Sequence, residues 1–191
     1  MGAKVDRTQD RVDILTLNRL KVLDENNKEV LISTFWKEKS VVLIFVRHFS
    51  CIACRSHVAQ IWNEKEKFKK SKTNIVFIGN GAPQFIQAFK EDMNIVDAPI
   101  YTDPSLKTYD ACGLHRGMLK LMDPRGAKNM LELAFEGHKQ GPLSKDSGSH
   151  TQMGGIVALR PPGIVVYHFV SDYLGDNDKM ANWENLADSK E

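Results

Sequence analysis

Six consecutive apolar residues, Val41 to Val46, run straight into Arg47-His48-Phe49-Ser50 and then into Cys51 and Cys54, and this stretch constrains the chain more than any other. An apolar run without polar alternation is what a strand shows when helices cover both of its faces, as in the middle of an α/β sheet. Polarity returns at Arg47, so the strand's carboxyl end falls there, and open α/β sheets hold their ligands beyond that end. Here that edge carries two cysteines three positions apart. At a helix start, residues i and i+3 share a face one turn apart, within reach of a disulfide. The first of the two also meets the unpaired N–H groups and positive dipole end of the helix, which favour the thiolate, the reactive form of the side chain. Half of a zinc site has the same spacing, but a buried strand before it and a helix after it favour redox chemistry.

Read in order, the chain adds elements on both sides of this centre. Residues 1–13 are polar and expected to be flexible. From Ile14 to Leu31, short apolar bursts flank the turn-forming Asp24-Glu25-Asn26-Asn27-Lys28, which predicts an amino-terminal hairpin. Ser33 and Thr34 stand where they would cap a single helical turn before Val41. After the cysteines, Cys54, Val58, Ile61, Trp62 and Phe68 form one stripe at helical spacing, and the Lys/Glu run from Glu64 to Lys70 reads as a solvated helix surface. Asn74 to Gly79 is a second buried strand, and Pro83 opens a helix carrying Phe85, Ile86, Phe89 and Met93. Pro99 to Thr102 gives a short strand, and Asp103-Pro104 a cap and first turn. The helix that follows puts Leu106, Tyr109 and Cys112 on one face and stops at Gly113. Asp123-Pro124 starts a helix through Phe135, and residues 138–150, rich in Gly, Ser and Lys, read as a mobile loop. Ile156–Leu159 and Ile164–Val170 flank Arg160-Pro161-Pro162-Gly163, the pattern of an antiparallel hairpin, and Trp183 and Leu186 anchor a closing helix.

Composition narrows the class. With 191 residues, 42% of them hydrophobic and 26% charged, the chain fits one globular domain spanning residues 1–191. Its 26 basic side chains against 24 acidic ones give a formal charge of +2, which argues for neither nucleic acid nor an acidic membrane surface as partner. No apolar run approaches the roughly 20 residues of a membrane span, and the amino terminus has no apolar signal core, so the expected location is the cytoplasm. In that reducing compartment a Cys-x-x-Cys pair is catalytic or metal-binding sooner than structural. His48, His57 and His115 could complete a metal site with the cysteines, yet no second compact Cys/His pair exists and no metal is expected. Arg47 and Arg55 flank the pair. Either guanidinium could favour the thiolate and polarise a peroxide oxygen, or be an ordinary surface charge. Gly79-Asn80-Gly81 lacks the glycine pattern and lysine of a phosphate loop and reads as a turn.

The run Phe45-Val46-Arg47-His48-Phe49-x-Cys51-x-x-Cys54 resembles the thioredoxin-fold, peroxiredoxin-like proteins of the AhpC/TSA class, in the branch that includes selenoprotein U and the prostamide/prostaglandin F synthases. Asp97 to Leu114 resembles that family's proline-aspartate strand and following helix, and Gly154-Gly155-Ile156-Val157 its glycine-glycine opening of a late strand. The chain departs from true peroxiredoxins in lacking their Pro-x-x-x-Thr-x-x-Cys loop, since His48 stands three residues before Cys51 and Cys51 three before Cys54.

This resemblance implies an α/β, thioredoxin-like fold with a peroxiredoxin-type amino-terminal hairpin and an inserted helical and loop segment. It implies a thiol-dependent oxidoreductase that reduces a hydroperoxide or endoperoxide, a small-molecule or lipid peroxide, through a Cys51 sulfenic acid and a Cys51–Cys54 disulfide, with Arg47, His48, Arg55, Gly154 and Gly155 in support. No cofactor is expected, and thioredoxin or glutathione would return the electrons. Position at the helix start makes Cys51 the nucleophile, whereas aligning the pair to the peroxiredoxin Thr-x-x-Cys would give that role to Cys54. Two alternatives share the residues: exchange with protein disulfides, and a non-catalytic interaction module. Cys112, on an apolar face, is expected to pack and not to react.

Overall fold

A computed structural model of the protein describes residues 12–141 and 145–178. It contains seven strands in one sheet: β1 (Lys21–Leu23), β2 (Glu29–Leu31), β3 (Val41–Phe45), β4 (Asn74–Gly79), β5 (Ile100–Thr102), β6 (Gly155–Arg160) and β7 (Ile164–Val170), in the order β2-β1-β5-β4-β3-β6-β7. The central strands β3, β4 and β5 are parallel, while the β1–β2 and β6–β7 hairpins add antiparallel pairs on either side. Both predicted hairpins are therefore present. Six α-helices accompany the sheet: α1 (Ile14–Leu17), α2 (Ile52–Asn63), α3 (Lys65–Lys70), α4 (Gln84–Asp92), α5 (Lys107–Ala111) and α6 (Pro124–Phe135).

Burial of β3 on both faces explains its unbroken apolar sequence. Val42, Ile44 and Val46 pack into one core with Phe49, Cys51, Cys54, Val58, Ile61 and Phe77. Val41, Leu43 and Phe45 pack into the other with Trp36, Tyr109, Cys112 and Leu159. Alternate side chains of a strand point to opposite faces, so β3 is shared by two cores, and Cys112 lies across the sheet from the Cys-x-x-Cys pair.

Several local expectations change in detail. The hydroxyl of Thr34 donates 2.7 Å back to the Leu31 carbonyl, inside a 3₁₀ turn (Ile32–Trp36) that has no side-chain cap. The stripe from Cys54 to Phe68 is split between α2 and α3 at Glu64. The Lys/Glu surface is paired as expected for a solvated face, with Lys67 on Glu64 and Lys69 on Glu66. Asp103 does not cap a helix at Pro104. Its carboxylate accepts the Ser105 and Thr108 amides, and Leu106, at φ 61°, delays the helix start to Lys107. Asp13, expected in a flexible start, accepts the Thr16 amide at 3.0 Å and caps α1. Residues 1–11, with Trp183 and Leu186, lie outside the described residues. Among the described residues no helix is long and apolar enough to cross a membrane.

Candidate active site

β3 hands the chain to the site at its carboxyl end. The Val46 amide still bonds to the Ile78 carbonyl at 2.9 Å, and the Tyr109 hydroxyl lies 2.7 Å from the Val46 carbonyl oxygen and 2.8 Å from that of Ile78, closing the fork between β3 and β4. Beyond this point the chain turns sharply. The Cys51 amide donates to His48 O at 3.2 Å, and Cys51, with extended backbone angles (φ −69°, ψ 121°), is the N-cap residue of α2. Cys54 stands in the first turn of the same helix.

Arg47 serves both sulfurs. Its side-chain Nη1 donates to Cys51 Sγ at 3.2 Å, and its backbone amide donates to Cys54 Sγ at 3.3 Å. The Cys51 thiol is pulled down to a pKa of about 5, first by the hydrogen bond that Cys54 donates, then by the charge and hydrogen bond of Arg47, all against a burial that opposes ionisation. Cys54 is pushed well up, because it holds the shared proton, is buried and faces the Cys51 thiolate. The two thiols share one proton and titrate as a pair, with Arg47 on the Cys51 side favouring the negative charge there.

The source of this charge stabilisation differs from the sequence expectation in one respect. The first amide of α2, on Ile52, donates to Gln140 Oε1 at 3.2 Å and is not left for the thiolate. The Cys54 amide, in the first turn, still lowers the Cys51 pKa as a helix start should, and the Cys54 thiol and Arg47 add to it.

Of the other expected residues, Gly154 and Gly155 are brought to the site and Arg55 is not. A Cβ on Gly154 would stand 2.5 Å from the Phe45 carbonyl oxygen, and one on Gly155 2.5 Å from Leu114 and 2.6 Å from the Phe169 carbonyl oxygen. Both positions admit only glycine without displacement. They line, with Cys54, His57 and Ser171, a narrow cleft of about 20 Å³, roughly the space of one water. Cys51, 2% exposed, is not among the lining residues. The Arg55 guanidinium pairs with Asp92 and sits 5.7 Å over the Phe89 ring, and among the described residues its contacts include no hydrogen bond to either sulfur. One helical step past Cys54 rotates a side chain by about 100°, enough to carry it off that face.

His48 is buried beside Arg47, its ring against that of His150 with centroids 4.6 Å apart, and burial, then the charge of Arg47, hold its pKa at about 3. His57 is held at about 4 by burial. Both are neutral near pH 7. His115 lies 3.6 Å from Asp172 instead of joining them, and among the described residues no three His, Cys, Asp or Glu side chains form a cluster suited to a metal ion. Cys112 is fully buried on the opposite face, where desolvation raises its pKa far above that of an exposed thiol.

Four contributors were not read as such from the sequence. Gln140 and His138, from the stretch expected to be a mobile loop, reach Ile52 N and Ser56 Oγ, while the Gly141 amide donates to Ser50 O at 3.0 Å. Asn80 donates its amide to the Arg47 carbonyl and accepts the Ser149 amide at 2.6 Å. A polar residue directly after a buried strand, in register with the Arg47 exit, is the only sequence signal that could have raised it.

A thioredoxin-like α/β sheet with two cysteine sulfurs at the carboxyl end of its central strand, one of them contacted by an arginine side chain, defines a fold class to which the comparisons add a family. The sequence pattern of the AhpC/TSA antioxidant enzymes matches residues 60–172, more than half the chain, and the protein belongs to that family. The match begins inside α2, beyond both cysteines. The chloroplastic thioredoxin-like protein AAED1 of Arabidopsis thaliana is 31% identical over 151 residues, which cover 76% of this chain and 60% of that protein. The prostamide/prostaglandin F synthase of Xenopus tropicalis is 26% identical over 171 residues, 86% of this chain and 83% of its own length. The crystal structure of peroxidoxin BcpB from Mycobacterium tuberculosis superposes with a TM-score of 0.58 at 15% identity, covering 82% of this chain and 84% of that one, a likeness of fold.

Proposed function

We propose that the protein reduces a hydroperoxide or endoperoxide through a Cys51 sulfenic acid and a Cys51–Cys54 disulfide. The observation that carries this reading is Arg47 Nη1 at 3.2 Å from the Cys51 sulfur, beside a Cys54 thiol that keeps its proton. The Cys51 thiolate attacks one oxygen of R–O–O–H; the S–O bond forms as the O–O bond breaks, and the alkoxide leaves and takes a proton. Cys51 is then a sulfenic acid, oxidised by two electrons; on an endoperoxide R–O–O–R′ the same attack leaves a sulfenate ester, which Cys54 resolves with release of an alcohol in place of water. Cys54 sulfur attacks Cys51 sulfur, its proton leaving with the hydroxyl as water, and the disulfide results. Two donor thiols, from thioredoxin or glutathione, reduce that bond and leave as their own disulfide. The Arg47 guanidinium, on the Cys51 sulfur, supplies the positive charge that stabilises the leaving oxygen. The chemistry runs on side chains without a cofactor, in the cytoplasm, where such donors are kept reduced.

A second reading, exchange with a protein disulfide, uses the same thiolate. It is favoured by the missing Pro-x-x-x-Thr-x-x-Cys loop and by Cys54 lining the cleft. A non-catalytic interaction module would leave Cys51 unreactive. Intact-mass analysis separates the three: reduced protein is titrated with hydrogen peroxide, an organic hydroperoxide or a protein disulfide, then treated with thioredoxin or glutathione. Peroxide-dependent loss of two hydrogens in a species that stays monomeric on non-reducing gels supports the peroxidase. Oxidation by the protein disulfide alone moves the function to exchange, and an unreactive Cys51 removes both.

A further inference from the structure

Gly79-Asn80-Gly81, which the sequence offers only as a turn, holds a residue that touches neither sulfur and still bears on both. Asn80 is 4% exposed at the end of β4. Its Nδ2 donates to the carbonyl of Arg47, at the root of the arginine side chain. Its Oδ1 accepts from the Ser149 amide at 2.6 Å, one residue before His150, whose carbonyl oxygen receives Arg47 Nη2 at 2.6 Å. The arginine is therefore held at its origin and near its tip by opposite ends of one amide, while Nη1 rests on Cys51 Sγ.

We infer that Asn80 is the positioning residue that sets the Arg47 guanidinium on the Cys51 sulfur, by tying the strand exit to the strap that runs from Asp146 to Gln152. The strap is also tied by the Ala82 amide on Asp146 O at 2.8 Å, the Gly117 amide on Thr151 O at 3.0 Å, the His48–His150 ring contact and Gln152 on His115 O, but Asn80 is the tie that also holds the Arg47 carbonyl. It approaches so closely that a Cβ on Gly148 would lie 2.2 Å from Asn80 Oδ1 and 3.1 Å from His48 Cβ. The chemistry of the residue follows from its two partners, a carbonyl and an N–H. They demand a donor and an acceptor on one short planar group, which asparagine supplies and which aspartate, serine and alanine do not.

This inference rests on the thiolate at Cys51 that the proposed function uses, and its test needs no peroxide. The pH dependence of Cys51 alkylation is measured by peptide mapping in wild type, Asn80→Ala and Ser149→Pro, together with thermal unfolding. Ser149→Pro removes the N–H that Asn80 accepts together with the Oγ contact to Thr151, which Ser149→Ala removes alone as the control, and it serves if Asn80→Ala folds poorly. The expected result is a midpoint moved up by about one unit in Asn80→Ala, the low end of what losing an adjacent cation does, and by less in the same direction in Ser149→Pro. A lowered unfolding temperature with an unmoved alkylation midpoint in either folded variant makes Asn80 merely structural and overturns the inference. A wild-type midpoint at the ordinary value of about 8.5 removes the thiolate and with it the proposed function, a different failure from unmoved variants of an acidic wild type.

Discussion

The protein keeps three buried cysteines on two faces of one sheet, and the faces treat them in opposite ways. Cys51 and Cys54 sit where β3 ends, with an arginine side chain on one sulfur and a backbone amide on the other. Cys112 sits in the opposite core among Leu43, Phe45 and Tyr109, where, among the described residues, burial alone sets the direction of its pKa shift. All three are 8% exposed or less, so exposure does not separate them. The separation comes from polar neighbours: burial alone raises a thiol's pKa, and only the Cys54 hydrogen bond and Arg47 reverse that for Cys51.

The strongest way to break this contrast is to remove the charged sulfur. Cys51→Ser should lower peroxide consumption by on the order of 10³-fold or more, measured as kcat/KM, whereas Cys112→Ala should leave it unchanged. If the two variants lose activity alike, the faces are not chemically distinct. Next in size is the partner: with Cys54→Ser, stoichiometric peroxide should leave Cys51 as sulfenic acid that over-oxidises, visible as added oxygens by mass spectrometry. Over-oxidation in Cys112→Ala instead would move the resolving role across the sheet. A smaller effect is acid-base. Alkylation of Cys51 should stay nearly constant from pH 8 down to about 6 and fall through its depressed midpoint near 5, since protonation removes the nucleophile. Cys112 should stay unlabelled in the folded protein over that range, and Cys54→Ala, which deletes the hydrogen bond to the thiolate, should move the Cys51 midpoint upward. The least effect is on stability: Cys112→Ala should cost about 1 kcal/mol through a small cavity, read from denaturant unfolding.

What was legible in the sequence was whatever lies close along the chain. The apolar run of β3, the turn cluster between β1 and β2 and the double proline between β6 and β7 each encode their own geometry, and the spacing of Cys51 and Cys54 fixes their shared turn. What was not legible comes from segments far apart in sequence. Gln140 caps a helix 88 positions away, and the two partners of Asn80 lie 33 and 69 positions from it. Arg55 was grouped with the site because it adjoins Cys54 in sequence, yet adjacency on a helix means a different direction, and Asp92 with Phe89 holds it there.

The placement of both sulfurs within a single turn of α2 also has a kinetic consequence. A bond between them would form inside one short segment, so its rate would be first order and indifferent to dilution. A response to oxidant built this way would have the same time course at trace abundance as at high abundance, since no encounter between molecules limits the closing step.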